Sequence, residues 1–177
     1  HEATALAERG LCIVTSTNGR AVVPETHPRN LGAFNMTPAA QALFDACDLM
    51  IVVGSRLRGN ETRNNMLRLG KPLVQIDADA SQGGRNYPVD FFVHGDARLA
   101  LAGLLERLPD RLDVDAEFGA SVLAARHAGE ESLRATLGPY RAVADAMRER
   151  VLAQALPFVR DVTISNSTFG NRYVLLA

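Results

Sequence analysis

Very little in this chain of 177 residues marks a specialised compartment or partner. There are two cysteines, Cys12 and Cys47, both in apolar contexts and without metal-type spacing. They read as buried free thiols of a cytoplasmic protein rather than as a disulfide framework or a zinc site. No charge excess exists: 19 basic against 20 acidic side chains leave a net charge of -1, which supplies no attraction for nucleic acid or an anionic membrane surface. No run is long and apolar enough to span a bilayer, and no signal-peptide pattern opens the chain. Internal repeats and low-complexity tracts are missing too. So are three chemical fingerprints: Gly-x-Gly-x-x-Gly after a strand, a Walker loop, and a Gly-x-Ser-x-Gly elbow. A stand-alone nicotinamide dehydrogenase is disfavoured on that ground.

Three short apolar runs remain, and each stops on small or acidic residues. Leu49 to Val53 stops at Gly54-Ser55-Arg56, Leu73 to Ile76 at Asp77-Ala78-Asp79, and Phe91 to Val93 at His94-Gly95-Asp96. Each is too short for a helix and rich in β-branched or aromatic residues, so each predicts a buried strand. Helical stretches between them predict a parallel sheet, with Gly54, Asp77, Gly95 and Asp96 gathered at its carboxyl edge. Open α/β sheets bind ligands at that edge. At Gly54-Ser55-Arg56 the glycine admits close backbone approach, a following helix would present amides, and Arg56 adds a forked phosphate donor. Asp77 and Asp96 are suited to ribose hydroxyls or an adenine amino group, although a turn at Gly54, a loop cap at Asp77 and an N-cap at Asp96 explain each residue singly.

Along the chain, residues 1–10 read as the second half of an amphipathic helix stopped by Gly10. Residues 11–15 predict a further strand, ending in an Asn18-Gly19 turn. Thr37-Pro38 caps a helix over 39–47. A second short helix is expected over 61–69, closed by Gly70, and a third over 97–108 behind Asp96. Composition changes after Pro109. A charged linker over 110–117 precedes an alanine-rich helix over 118–137, whose Arg126, Glu130, Glu131 and Arg134 suggest i,i+4 pairs on a solvated face. A last helix, 140–156, carries an apolar stripe at Tyr140, Val143, Ala144, Met147, Val151 and Leu152. His27, His94 and His127 lie far apart and predict no shared chemistry. Asp77 and Asp79 alternate across a strand end and make no ready acid/base pair.

The order of these motifs is familiar. Thr15-Ser16-Thr17-Asn18-Gly19-Arg20, Pro24-x-x-His27-Pro28-x-x-x-Gly32, Cys47-Asp48-Leu49 before Val53-Gly54-Ser55-Arg56-Leu57, Gln75-Ile76-Asp77-Ala78-Asp79 and Gly95-Asp96-Ala97 together resemble the central domain of thiamine-diphosphate-dependent enzymes. The nearest likeness is to the acetolactate synthase and benzoylformate decarboxylase group, over residues 1–108. The segment from Tyr140 through Leu156-Pro157 to 161–167 resembles the start of that family's pyrophosphate-binding domain. The expected organisation is therefore a Rossmann-like central domain over 1–108, a linker and helix over 109–139, and the beginning of a further domain over 140–177.

That resemblance implies a six-stranded parallel sheet flanked by helices, which in acetolactate synthases holds the ADP half of FAD. It places Gly54 and Arg56 on the family's Gly-x-Arg turn, Ser55 between them, and Asp77, Gly95 and Asp96 on its strand ends. Two departures stand out. The family's first strand and glycine-rich turn would precede His1, and Arg58-Gly59-Asn60-Glu61 differs from the Phe-Asp-Asp-Arg type of segment in flavin-binding members. The glutamate that activates thiamine diphosphate and the Gly-Asp-Gly…Asn segment that binds Mg2+ and the diphosphate belong to other domains. Catalytic and metal-binding residues are thus expected to be none in this chain, which reads as a non-catalytic piece of a homo-oligomeric enzyme of a small 2-keto acid. The alternative is a scaffold domain binding FAD or an adenine nucleotide without a catalytic role.

Overall fold

In the computed structural model, which describes residues 2–153, 163–166 and 173–176, the three apolar runs are strands of one sheet. β1 (Met50–Val53), β2 (Leu73–Asp77) and β3 (Phe91–His94) pair in parallel in the order β1-β2-β3. The register sets Val53 beside Ile76, and Asp77 beside His94, so the three strands finish level with one another. Parallel neighbours need a crossover, and the intervening segments supply it. The fold is α/β, as the alternation of strands and helices predicts. The described residues form a three-stranded parallel sheet rather than six strands, and a separate antiparallel pair, β4 (Thr163–Asn166) with β5 (Tyr173–Leu176). The remaining positions of the segment likened to a pyrophosphate-binding domain, 154–162 and 167–172, lie outside the described residues.

Five helices accompany the strands among the described residues: α1 (Glu2–Arg9), α2 (Pro38–Ala46), α3 (Ala97–Leu105), α4 (Ala116–Thr136) and α5 (Arg141–Ala153). Their starts are written in side chains. Thr37 accepts a hydrogen bond from the Ala40 amide ahead of Pro38, Asp96 from that of Leu99, and Asp115 from those of Glu117 and Phe118. Each cap satisfies an amide that the first helical turn leaves without a partner, an effect of about 1 kcal/mol. Asp115 also sets the start of α4 two residues before the expected position. α1 stops at Gly10 (φ 123°), and Arg9 Nη1 donates to the Leu105 and Leu108 carbonyls at the end of α3. A cation there answers the negative end of the helix dipole and ties α1 to α3.

The larger core is built where α2 meets α4. Leu31, Ala40, Leu43, Phe44, Leu67, Val122 and Ala125 are buried together, with Phe34 and Phe118 packed at the margin. Burying each large side chain contributes about 1.5–3 kcal/mol. Gly129 lets α4 come down on the ring of Phe34, since a Cβ there would lie 2.6 Å from Phe34 Cγ. On the sheet, Val52, Leu57 and Leu73 form a second cluster closed by Tyr87 and Val89.

Three expectations fail for identifiable reasons. Residues 11–15 make only a single parallel bridge, Ile13 with Asn30, because their backbone pairs with the loop that follows them: Ile13 N bonds to Arg29 O, Leu31 N to Ile13 O and Thr15 N to Gly32 O. No helix forms over 61–69. A short 3-10 turn at Gly59–Glu61 is followed by three consecutive left-handed residues, Arg63, Asn64 and Asn65 (φ 52°, 56° and 63°). Thr62 organises this turn, its hydroxyl donating to Arg58 O and accepting from Asn65 N, so local side-chain bonding displaces the helix. The ion pairs of α4 also differ. Arg126 reaches away to the Glu25, His27 and Asn30 carbonyls, while Glu131 and Arg134 pair with Arg141 and Asp145 of α5.

Candidate functional site at the carboxyl edge of the sheet

The level strand ends place Gly54, Asp77 and Gly95 on one edge, laced by their backbones. Gly54 N donates to Ile76 O at 2.9 Å and Gly95 N to Asp77 O at 3.0 Å. Gly54 adopts φ 63°, a left-handed conformation that a glycine takes without strain. A Cβ added at Gly54 or Gly95 would meet nothing within 4 Å, so both open outward.

The side chains are occupied with one another. Ser55 Oγ donates to Glu61 Oε2 at 3.2 Å and accepts from Leu57 N at 3.1 Å. Asp77 Oδ1 accepts from the Asp79 amide at 2.8 Å. Asp79 in turn accepts from Ser81 Oγ, Ser81 N and Gln82 Nε2, at 2.7, 3.0 and 2.9 Å. Those donors, the Ser81 hydroxyl foremost and the Arg56 charge a smaller contributor, hold the Asp79 carboxyl down at about 2. Asp96 spends Oδ1 on the α3 cap, 3.0 Å from Leu99 N. His94 Nε2 lies 3.0 Å from Ala78 O.

Every residue of the expected set, Gly54, Ser55, Arg56, Asp77, Gly95 and Asp96, therefore sits on the edge of these adjacent strands. One part of the expected chemistry is absent: no α-helix follows β1, so its amides do not converge on the Gly54 turn. Sequence reasoning also passed over Gln75. It is buried (2% exposed), donates to Ser55 O at 3.3 Å and accepts from Gly84 N at 3.0 Å, tying the β1 turn to the loop after β2. A lone amide inside the run Leu73-Val74-Gln75-Ile76 was the available signal, because a buried polar group must find partners. Asn86 does similar work, donating to Arg56 O at 2.6 Å. His27 is structural, its Nδ1 accepting from Arg29 N. Burial raises the thiol pKa of both Cys12 and Cys47, which keeps them protonated and inert. Among the described residues no group of three or more His, Cys, Asp or Glu could hold a metal ion, and no helix is long and apolar enough to cross a membrane.

A parallel sheet with small and acidic residues at its carboxyl ends defines an α/β domain of the nucleotide-binding type. The comparison with known families is specific: the chain belongs to the family "Thiamine pyrophosphate enzyme, central domain", which matches residues 1–104. Among curated relatives it is 30% identical over 154 residues to a protein of Pseudomonas aeruginosa named "Probable 2-ketoarginine decarboxylase", covering 86% of this chain and 27% of the relative. It is 33% identical over 101 residues to the "Probable acetolactate synthase large subunit" of Methanocaldococcus jannaschii, covering 54% of this chain and 17% of that one. With the acetolactate synthase of Mycobacterium avium it shares 29% identity over 113 residues, 59% of this chain and 18% of that protein. The matched part is thus about a quarter or less of each relative.

Proposed function

We propose that this chain is the non-catalytic central domain of a cytoplasmic, homo-oligomeric enzyme that uses thiamine diphosphate and Mg2+ to act on a 2-keto acid, by decarboxylation or acetolactate-synthase-like carboligation. The observation that carries this reading is the family match over residues 1–104, supported by a keto acid decarboxylase aligned with 86% of the chain. Within the domain, Gly54, Ser55, Arg56, Asp77, Gly95 and Asp96 line a vestigial nucleotide crevice, a structural edge rather than a reactive one. Its side chains are engaged in caps and turns, which suits a positioning role. Residues 140–177 lead into the pyrophosphate-binding domain, where the cofactor would sit.

The test is made on the complete protein and on the 177-residue chain side by side. Thiamine diphosphate released on denaturation is quantified, and consumption of 2-ketoarginine and shorter 2-keto acids is followed with and without Mg2+. The complete protein is expected to hold the cofactor and consume a keto acid, and the chain to do neither. A complete protein without thiamine diphosphate, or turnover by the chain alone, would overturn the proposal.

A further inference from the structure

Resemblance to flavin-holding relatives makes FAD the group to test against the carboxyl edge, and the edge does not fit it. We infer that this edge excludes the diphosphate of a flavin dinucleotide, so that the protein to which the chain belongs carries no FAD. The inference rests on the reading of that edge as a vestigial crevice.

Donors are the first requirement of a diphosphate site, and here they are spent. The Ser55 hydroxyl is given to Glu61, the Gln75 amide to Ser55 O, and the Asn86 amide to Arg56 O. The Ser81 hydroxyl and the Gln82 amide go to Asp79. Each would have to be released, and its present partner left unsatisfied, before it could turn to a ligand. Helix amides are the second requirement. After β1 the chain passes through Gly54 into the three-residue 3-10 turn Gly59–Glu61, so no helix N-terminus faces the glycine turn. The helix that does begin at this edge, α3, has its first turn occupied by the carboxylate of Asp96.

Charge is the third requirement, and it has the wrong sign. Asp77 and Asp79 stand at the end of β2 and Asp96 just beyond the end of its neighbour β3, with Glu61 hydrogen-bonded to Ser55 on the β1 side. Against these carboxylates stands Arg56, whose charge already acts on Asp79. A diphosphate entering between the strand ends would meet repulsion from several sides in a partly desolvated crevice.

Two variants of the same charge test this. Asp77→Asn with Asp96→Asn keeps both caps, because the amide oxygen of asparagine still accepts from the Asp79 and Leu99 amides, yet removes two negative charges. The wild-type complete protein and the chain, produced with riboflavin supplied, are expected to show no flavin absorbance and to release no FAD on denaturation. ADP titrated by calorimetry is expected to bind the doubly substituted chain about tenfold more tightly than the wild type, with the gain shrinking as salt is raised. Equal urea midpoints establish that both chains are folded. Equimolar FAD in the wild-type protein, or no change in ADP affinity on neutralisation, would overturn the inference. Thiamine diphosphate measured in the same preparations reads the preceding proposal separately, since a protein holding both cofactors would sink only the flavin exclusion.

Discussion

Gly129 brings two opposed effects to one residue. In the middle of α4 an alanine would be favoured over glycine by about 1 kcal/mol of helix propensity. The added Cβ, however, would stand 2.6 Å from Phe34 Cγ and 2.7 Å from Cδ1, in a part of the core with no room to yield. Overpacking of that kind costs about 1–3 kcal/mol. Gly129→Ala is therefore expected to lower stability by about 1 kcal/mol net, read as a lower urea midpoint at unchanged slope. Gly119→Ala on the same helix supplies the control. Its Cβ would meet only the mobile tip of Arg29 at 3.4 Å, so propensity should prevail and the midpoint hold or rise. A destabilised Gly119→Ala with a neutral Gly129→Ala would reverse the account. At this scale the sequence was readable where a residue serves its own neighbours: Thr37 and Asp96 were visible as caps from spacing alone. Gln75, Asn86 and Arg126 were not, because their partners lie 9 to 101 positions away, at Gly84, Ser55, Arg56 and the 25–30 loop.

Among the elements, the strands were legible because their apolar runs are short, β-branched and bounded by turn residues, and the register followed from their equal lengths. The segment 59–69 was not. Its spacing of Glu61, Leu67 and Leu69 before Gly70 reads as a helix, and nothing in a periodicity argument weighs the pull of Thr62 on Arg58 and Asn65. The outcome stores strain. Arg63 sits at φ 52° with a full side chain, exposed to solvent. A left-handed non-glycine residue costs about 1–2 kcal/mol, and glycine loses about 0.5–1 kcal/mol of that gain to its freer unfolded chain. Arg63→Gly should therefore raise stability by about 0.5–1 kcal/mol, seen in the thermal midpoint. A helical 61–69 segment would predict the opposite sign, a loss of about 1 kcal/mol, so the direction of the change alone discriminates the two conformations.

For the whole molecule, the change of composition after Pro109 was plain in the sequence, whereas the return of α4 onto α2 was not. Val122 and Ala125 share one buried cluster with Leu43 and Phe44, a long-range contact that no local pattern encodes. The same global view shows where the described residues lack cover. β1 and β3 are edge strands of the sheet, and Phe91 on β3 is 63% exposed, with Val93 on the same face and Leu99 of α3 66% exposed. Nothing on β3 guards that edge in the way lysine or proline would. A second exposed group, Tyr140, Val143 and Met147, lies along the start of α5, where the spacing had predicted an apolar stripe. Edge strands with bare apolar side chains template pairing with other chains, so the isolated 177-residue chain is expected to self-associate. Light scattering across a concentration series should show the average mass rising. Phe91→Lys, which places a charge on the open edge without touching either buried cluster, should hold the chain nearer the monomer mass. If wild type scatters as a monomer at high concentration, the edges are protected and the argument fails. If Phe91→Lys associates as strongly as wild type, β3 is not the surface that pairs, and the helical stripe at Tyr140, Val143 and Met147 becomes the surface to charge next.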